Sequence, residues 1–310
     1  MDHGRDPEAN VVTATTPDPN GRPLPQLSLL LRNFSAGDPG SWEPLLAAAE
    51  TADRAGVDRL VVSDHVVFGE SLADYARPEK GGVLGGRQPT GPDGHWLEPL
   101  TLLAVLAGRT ARVRLATGIL LAALRRPVVL AKTVATLDVL SAGRVDLGVG
   151  VGWQEAEYAA AGLTFAARGR LLDDTLGLCQ RLWREPVVDL PAGPLHQMPK
   201  PIQAGGVPLW ISGRSTNRHV VDRVVRFGAG WIPWAEDAAD PVPGIGRLRE
   251  AMERAGRGAH TLQVTAALPD DPDEIARLVG AGVTDFRART SPSGPEELGD
   301  LVGRFRALVG

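Results

Sequence analysis

From Gln26 to Leu308 the chain alternates short β-branched runs with longer amphipathic ones, eight times over. The strand-like runs are Gln26–Phe34, Arg59–Ser63, Val113–Ile119, Arg144–Val149, Leu209–Ser212, Gly230–Pro233, Thr261–Leu268 and Thr284–Arg287. Helical patterns follow them, beginning with Ser41–Ala55, where Ser41 can cap and Gly56 can terminate. Pro127–Leu140 carries proline at its first helical position. Eight such units predict an α/β chain of the (β/α)8 TIM-barrel type, one domain over 26–310. A doubly wound sheet also alternates. The first strand, however, exits into Ser35-Ala36-Gly37-Asp38-Pro39-Gly40, which lacks the G-x-G-x-x-G spacing of a dinucleotide fold.

Two segments exceed ordinary connections: Val66–His95 and Glu185–Val207, both rich in glycine or proline. They are expected as long inserted loops, the first at the barrel mouth. Met1 to about Pro25 reads as a disordered tail, from its Pro, Asp, Asn and Thr content. A net charge of -4 gives no electrostatic case for nucleic acid or an acidic membrane. No apolar run is long enough to span a bilayer, and the N-terminus is not signal-like, so a cytoplasmic protein is expected. Cys179 is the single cysteine, which excludes an intrachain disulfide and a cysteine metal cluster. Its helical context predicts a buried, inert thiol. No metal site is read from the sequence.

In a barrel the chemistry sits where strands end. The second strand ends in Ser63-Asp64-His65, where His65 could act as acid, base or donor to a bound ring; a turn-capping Asp and a solvent-facing His explain the dipeptide equally well. The third ends in Thr117-Gly118-Ile119, where a glycine permits a bulge or is a plain rim glycine. The fourth runs into Gly148-Val149-Gly150-Val151-Gly152-Trp153, whose glycines let a ligand approach the backbone. Glu155 and Glu157 follow in a first helical turn, a position the helix dipole alone accounts for. The fifth ends in Gly213-Arg214-Ser215 before a helix, a weak phosphate signal from free N–H groups and a guanidinium. Trp231 and Trp234 read as core. No G-x-S-x-G elbow or H-E-x-x-H zinc helix is present, and the six histidines do not cluster in sequence.

Together these segments resemble the luciferase-like monooxygenase superfamily, barrel enzymes dependent on flavin or deazaflavin. The resemblance runs from about Gln26 to Leu308 and is most specific over Pro127–Asp174, PVVLAKTVATLDVLSAGRVDLGVGVGWQEAEY included. It implies that Asp64 and His65 line the cofactor ring and that Thr117, Gly118 and Ile119 lie behind it, with a cis peptide common at this bulge in F420 members. It further implies that Gly150, Val151 and Gly152 meet the cofactor and that Gly213, Arg214 and Ser215 hold its phosphate. His65 is the candidate catalytic residue. Some F420 dehydrogenases carry a tryptophan four residues after this histidine; Gly69 stands there instead, which weakens a sugar-phosphate dehydrogenase reading.

The leading expectation is an F420-dependent oxidoreductase moving a hydride between deazaflavin and a small organic substrate. The alternatives are an FMN-dependent monooxygenase using O2, which would need a reductase partner, and a barrel that binds cofactor without turnover or has lost it. A homodimer is the family expectation.

Overall fold

The computed structural model describes residues 25–80, 82–288 and 294–309. The expected N-terminal tail lies outside these, Pro25 apart. Eight strands form a closed parallel barrel: β1 (Gln26–Leu30), β2 (Arg59–Val62), β3 (Arg114–Thr117), β4 (Val145–Val149), β5 (Leu209–Gly213), β6 (Gly228–Pro233), β7 (Gln263–Ala267) and β8 (Asp285–Ala288). Each strand pairs with its neighbours in chain order, and β8 closes onto β1 with Ser28 opposite Arg287 and Leu29 opposite Ala288. The principal helices are α1 (Glu43–Ala55), α2 (Pro99–Arg109), α3 (Pro127–Leu140), α4 (Arg168–Arg184), α5 (Arg218–Phe227), α6 (Val242–Arg254), α7 (Pro272–Ala281) and α8 (Pro295–Val309). The predicted (β/α)8 architecture is therefore the observed one.

Local chemistry sets the boundaries. The Glu98 side chain accepts from the Thr101 N–H at 2.7 Å, and Asp271 does the same for Asp273 at 3.0 Å, so α2 and α7 start on carboxylate caps followed by proline. Gly56 and Gly282 close α1 and α7 with left-handed φ of 90° and 105°. α1 starts one residue later than a Ser41 cap requires. Trp42 occupies the cap position, and Ser41 Oγ accepts from the Glu43 N–H at 3.1 Å. The first strand also ends early: Phe34–Ser35 leaves the barrel and pairs antiparallel with His95–Trp96.

Strand alternation divides the residues between two cores. Leu27, Leu29, Leu60, Leu115, Leu147 and Ile211 point outward into the helix layer, which holds most of the apolar burial. Arg59, Asp146, Thr265, Asp285 and Arg287 point inward, alongside Trp210. Arg144, just before β4, is buried by carbonyls: its guanidinium donates to Ser141, Val113, Ala107 and Thr110 oxygens at 2.7–3.0 Å, clamping α2 and the start of β3 to β4. Cys179 is buried on α4, and burial pushes its thiol up to about 12, which keeps it protonated and unreactive. Val66–His95 contains two short 3-10 turns, Ala73–Ala76 and Pro78–Lys80, and Glu185–Val207 contains a two-stranded ribbon, Val188–Leu190 with Gly193–Leu195. No helix among the described residues is long and apolar enough to cross a membrane.

Candidate functional site

The C-terminal strand ends gather the candidates in three groups. The first is built on Asn33, a fully buried residue beyond β1. Its carboxamide donates to Ser63 O at 2.8 Å and Leu97 O at 3.0 Å, and accepts from the Ser63 N–H at 2.9 Å. The exit of β2 is thereby fixed. Asp64 then turns toward the chain after β3, where it accepts from the Leu121 N–H at 2.8 Å and pairs with Arg125 at 2.6 and 3.1 Å. Both its oxygens serve this anchorage, so Asp64 positions the β3 exit.

His65 faces an aromatic enclosure. Its ring lies 4.4 Å from Phe68, 4.8 Å from Trp96 and 5.9 Å from Trp153, centroid to centroid. Nδ1 sits 3.2 Å from both Glu157 oxygens, and Nε2 sits 3.0 Å from Gln88 Nε2. Glu157 also accepts from the Val66 N–H at 2.8 Å. This is the acid–base constellation a histidine needs: one nitrogen oriented by a carboxylate, the other presented to a polar group. Glu157, which the helix dipole alone could explain, is thus bonded directly to His65. The pair lies 92 residues apart, so no local motif announces it. The Gly69 N–H donates to Gln154 Oε1 at 2.5 Å, and a Cβ there would press on the Ala156 methyl at 2.7 Å.

The second group surrounds the β3 and β4 exits. Thr117 Oγ1 donates to Gly148 O at 2.7 Å, and the Gly118–Ile119 peptide is cis. The glycines are accounted for by the packing of these two exits. A Cβ on Gly148 would collide with the Thr117 carbonyl, one on Gly150 would meet Ile119 Cδ1 at 2.5 Å, and one on Gly152 would meet Leu121 Cδ2 at 2.7 Å. The Val151 carbonyl accepts from the Tyr158 hydroxyl at 2.6 Å. Directly below is a cavity of about 10 Å³, lined by Thr117, Gly148, Trp210, Ile232 and Arg287 among others. In its floor Arg59 bridges Asp146 at 2.9 Å and Asp285, and stacks on Trp210 at 4.6 Å. Arg114 grips Asp146 at 2.6 and 2.8 Å. Burial opposes ionisation of Asp146, but Arg114 and Arg59 hold its carboxyl down to about 2. Arg287 makes none of the ion pairs among the described residues, and its Nε is sealed from solvent without a hydrogen-bond partner. Strand alternation carries the one legible signal for it: Asp285 and Arg287 flank Phe286, so both share the inner face of β8.

The third group is Gly213, Arg214 and Ser215. Gly213 has φ +139°, and its carbonyl accepts from the buried Trp231 indole at 2.8 Å. The N–H of Ser215, expected to be free for phosphate, donates to the Asp237 carboxylate at 2.6 Å. The Ser215 hydroxyl lies 2.9 and 3.0 Å from the same carboxylate, and Arg247 reaches both at 2.6 and 3.1 Å. Ala235, with φ +57°, turns the chain so that Asp237 points back at the strand. An anion cradle therefore exists here, and a side chain of the protein already sits in it. Arg214 is half-exposed and lies 3.8 Å from Glu236.

The fit to a flavin or deazaflavin thus differs between the two ends. A guanidinium that forms no ion pair among the described residues, with an orphaned Nε, suits the polar edge of a ring. Ser215 meets a phosphate only if Asp237 withdraws.

The luciferase-like monooxygenase family model matches residues 26–300. The uncharacterized protein Rv0953c of Mycobacterium tuberculosis (strain ATCC 25618 / H37Rv) is 32% identical over 218 residues, covering 69% of this chain and 76% of that protein. The oxygenase component of the flavin-dependent trigonelline monooxygenase of Acinetobacter baylyi (strain ATCC 33305 / BD413 / ADP1) is 25% identical over 186 residues, covering 57% of this chain and 45% of that protein. Among solved structures, an F420-dependent secondary alcohol dehydrogenase in complex with an F420-acetone adduct superposes with a TM-score of 0.68 at 17% identity, over 93% of this chain and 99% of that one. On the match of the family model along nearly the whole barrel, the chain belongs to the luciferase-like monooxygenase family.

Proposed function

We propose that the chain is an F420-dependent oxidoreductase that transfers a hydride between the deazaflavin and a small organic substrate. Bound, the ring supplies the hydride chemistry. The chain's residues orient and protonate. His65, held at Nδ1 by Glu157, carries or releases a proton at Nε2, the nitrogen that meets Gln88. Phe68, Trp96 and Trp153 exclude water around it.

The observation that carries the choice of cofactor is Asp237. Its carboxylate stands in the Ser215–Arg247 cradle, so an incoming phosphate meets a resident negative charge. The phosphomonoester of FMN bears close to two charges at neutral pH and is repelled more than a phosphodiester, which bears one. F420 attaches its tail through a phosphodiester. Purified protein incubated separately with F420 and FMN, then desalted, is expected to keep the deazaflavin absorbance. Tight retention of FMN without F420 would overturn the reading. The second reading, an FMN-dependent monooxygenase served by a reductase, draws support from the similarity to the flavin-dependent trigonelline enzyme.

A further inference from the structure

We propose that Arg287 is an anion-recognition residue, and that the barrel cavity takes an oxygen of a planar ligand group that carries one negative charge on its oxygens. The inference goes beyond the cofactor reading and comes from charge inside the barrel. Three guanidinium groups, Arg59, Arg114 and Arg287, share the interior with two carboxylates, Asp146 and Asp285. Both oxygens of each carboxylate are already engaged, and by groups other than Arg287. Asp146 takes Arg59 and Arg114 on one oxygen and Arg114 on the other. Asp285 takes Arg59 on Oδ1, and the hydroxyls of Ser28 and Thr265 at 3.1 Å on Oδ2.

Arg287 is therefore the one of the three guanidinium groups that forms no ion pair among the described residues, with Asp285 acting on it only at longer range. Arg287 is half-buried with its Nε sealed from solvent, so part of its desolvation is not offset by an ion pair. Burial lowers its pKa, against the pull of Asp285 and with the push of Arg59. Its Nη1 lies 3.3 Å from the point a Gly118 Cβ would occupy, so glycine at the β3 exit leaves this guanidinium uncovered toward the cavity. A planar fork of N–H donors matches planar oxygens on an incoming group. The cavity of about 10 Å³ has room for about one water-sized group, which suits one oxygen of a carboxylate or of a ring edge. Two sources supply that chemistry: a carboxylate on the substrate, or the anionic edge of the reduced cofactor.

The test uses the full chain with Arg287→Met and Arg287→Lys, read by calorimetric titration and thermal denaturation. The first arm needs no cofactor. Formate and benzoate are compared with the neutral formamide and benzamide. Binding of the acids at least tenfold tighter than of the amides, lost tenfold or more in Arg287→Met and partly kept in Arg287→Lys, assigns the site to a substrate carboxylate. The second arm compares reduced with oxidised FMN and F420. A tenfold loss confined to the reduced form in Arg287→Met assigns the site to the cofactor edge and supports the proposal equally. Without ligand, Arg287→Met is expected to melt at or above the wild-type temperature, since a half-buried charge that forms no ion pair among the described residues is gone. A fall in melting temperature with no change in any affinity overturns the proposal. Failure of both cofactors to bind, with the first arm positive, sinks the cofactor reading and leaves the anion site standing.

Discussion

Glu157 holds His65 and the next amide in the chain at once, with Nδ1 at 3.2 Å from each oxygen and the Val66 N–H at 2.8 Å from Oε1. One carboxylate thus sets the imidazole orientation and the first step of the segment that leaves β2. Glu157→Ala strands two donors in a buried setting and is expected to cost about 2–4 kcal/mol. Glu157→Gln keeps an acceptor and should cost roughly half of that. Urea denaturation of the two variants checks the ranking. Equal stability of Glu157→Ala and wild type would refute the clamp.

Asp237 makes a prediction about cofactor selection. Asp237→Asn removes the resident charge while keeping an acceptor for the Ser215 N–H. FMN affinity is expected to rise about tenfold, equivalent to about 1.4 kcal/mol, while riboflavin, which has no phosphate, binds as before. Fluorescence titration with both compounds separates the outcomes: a parallel change in both would place the effect away from phosphate.

Acid stability follows from Asp146, whose carboxyl is held at about 2 against an ordinary value of 3.8. A depressed carboxylate contributes stability in full above its unfolded pKa and loses it as pH falls through the folded one. The contribution, on the order of 2 kcal/mol, is expected to be intact above pH 4 and to disappear between about pH 4 and 2. Stability measured by denaturant titration at stepped pH should fall across that window, and Asp146→Asn should flatten this part of the profile.

Two glycines of one motif should behave differently. At Gly148 an added methyl meets a backbone carbonyl of β3, which cannot move without breaking the barrel ladder. At Gly150 it meets the tip of Ile119, a flexible side chain. Gly148→Ala is expected to cost about 3 kcal/mol or more, and Gly150→Ala about 1 kcal/mol. Thermal unfolding of the pair decides it.

The sequence carried the barrel because its signals are local and repeated. Pro127–Leu140 is the same helix in both readings, since proline at its start and the apolar period act within one element. His65, Thr117 and Gly118 could be placed at strand ends for the same reason. What stayed hidden depends on contacts between distant residues. The cavity floor joins Arg59 to Asp146 and Asp285, which appear in the sequence only as isolated charges within apolar runs. Ser215 read as a free donor because Asp237 reaches it through a left-handed turn at Ala235, a conformation that a non-glycine residue rarely adopts and no pattern signals. Gln88 sits in a stretch with no periodicity at all, yet it reaches His65.

Asn33 ties Ser63 to Leu97, and Phe34 stacks on Trp96 at 4.3 Å, so the excursion between β2 and α2 begins and ends at one fastened point. Chain joined at a fixed neck pays little for added length: doubling such a loop costs only about 0.6 kcal/mol in closure entropy. The stretch between Gly69 and Gln88, apart from the residues that touch His65, can accordingly be lengthened, shortened or rewritten without asking the barrel to adjust. Substrate choice can diverge there while the cylinder beneath stays the same, which makes this neck the natural junction for grafting the mouth of one relative onto the body of another.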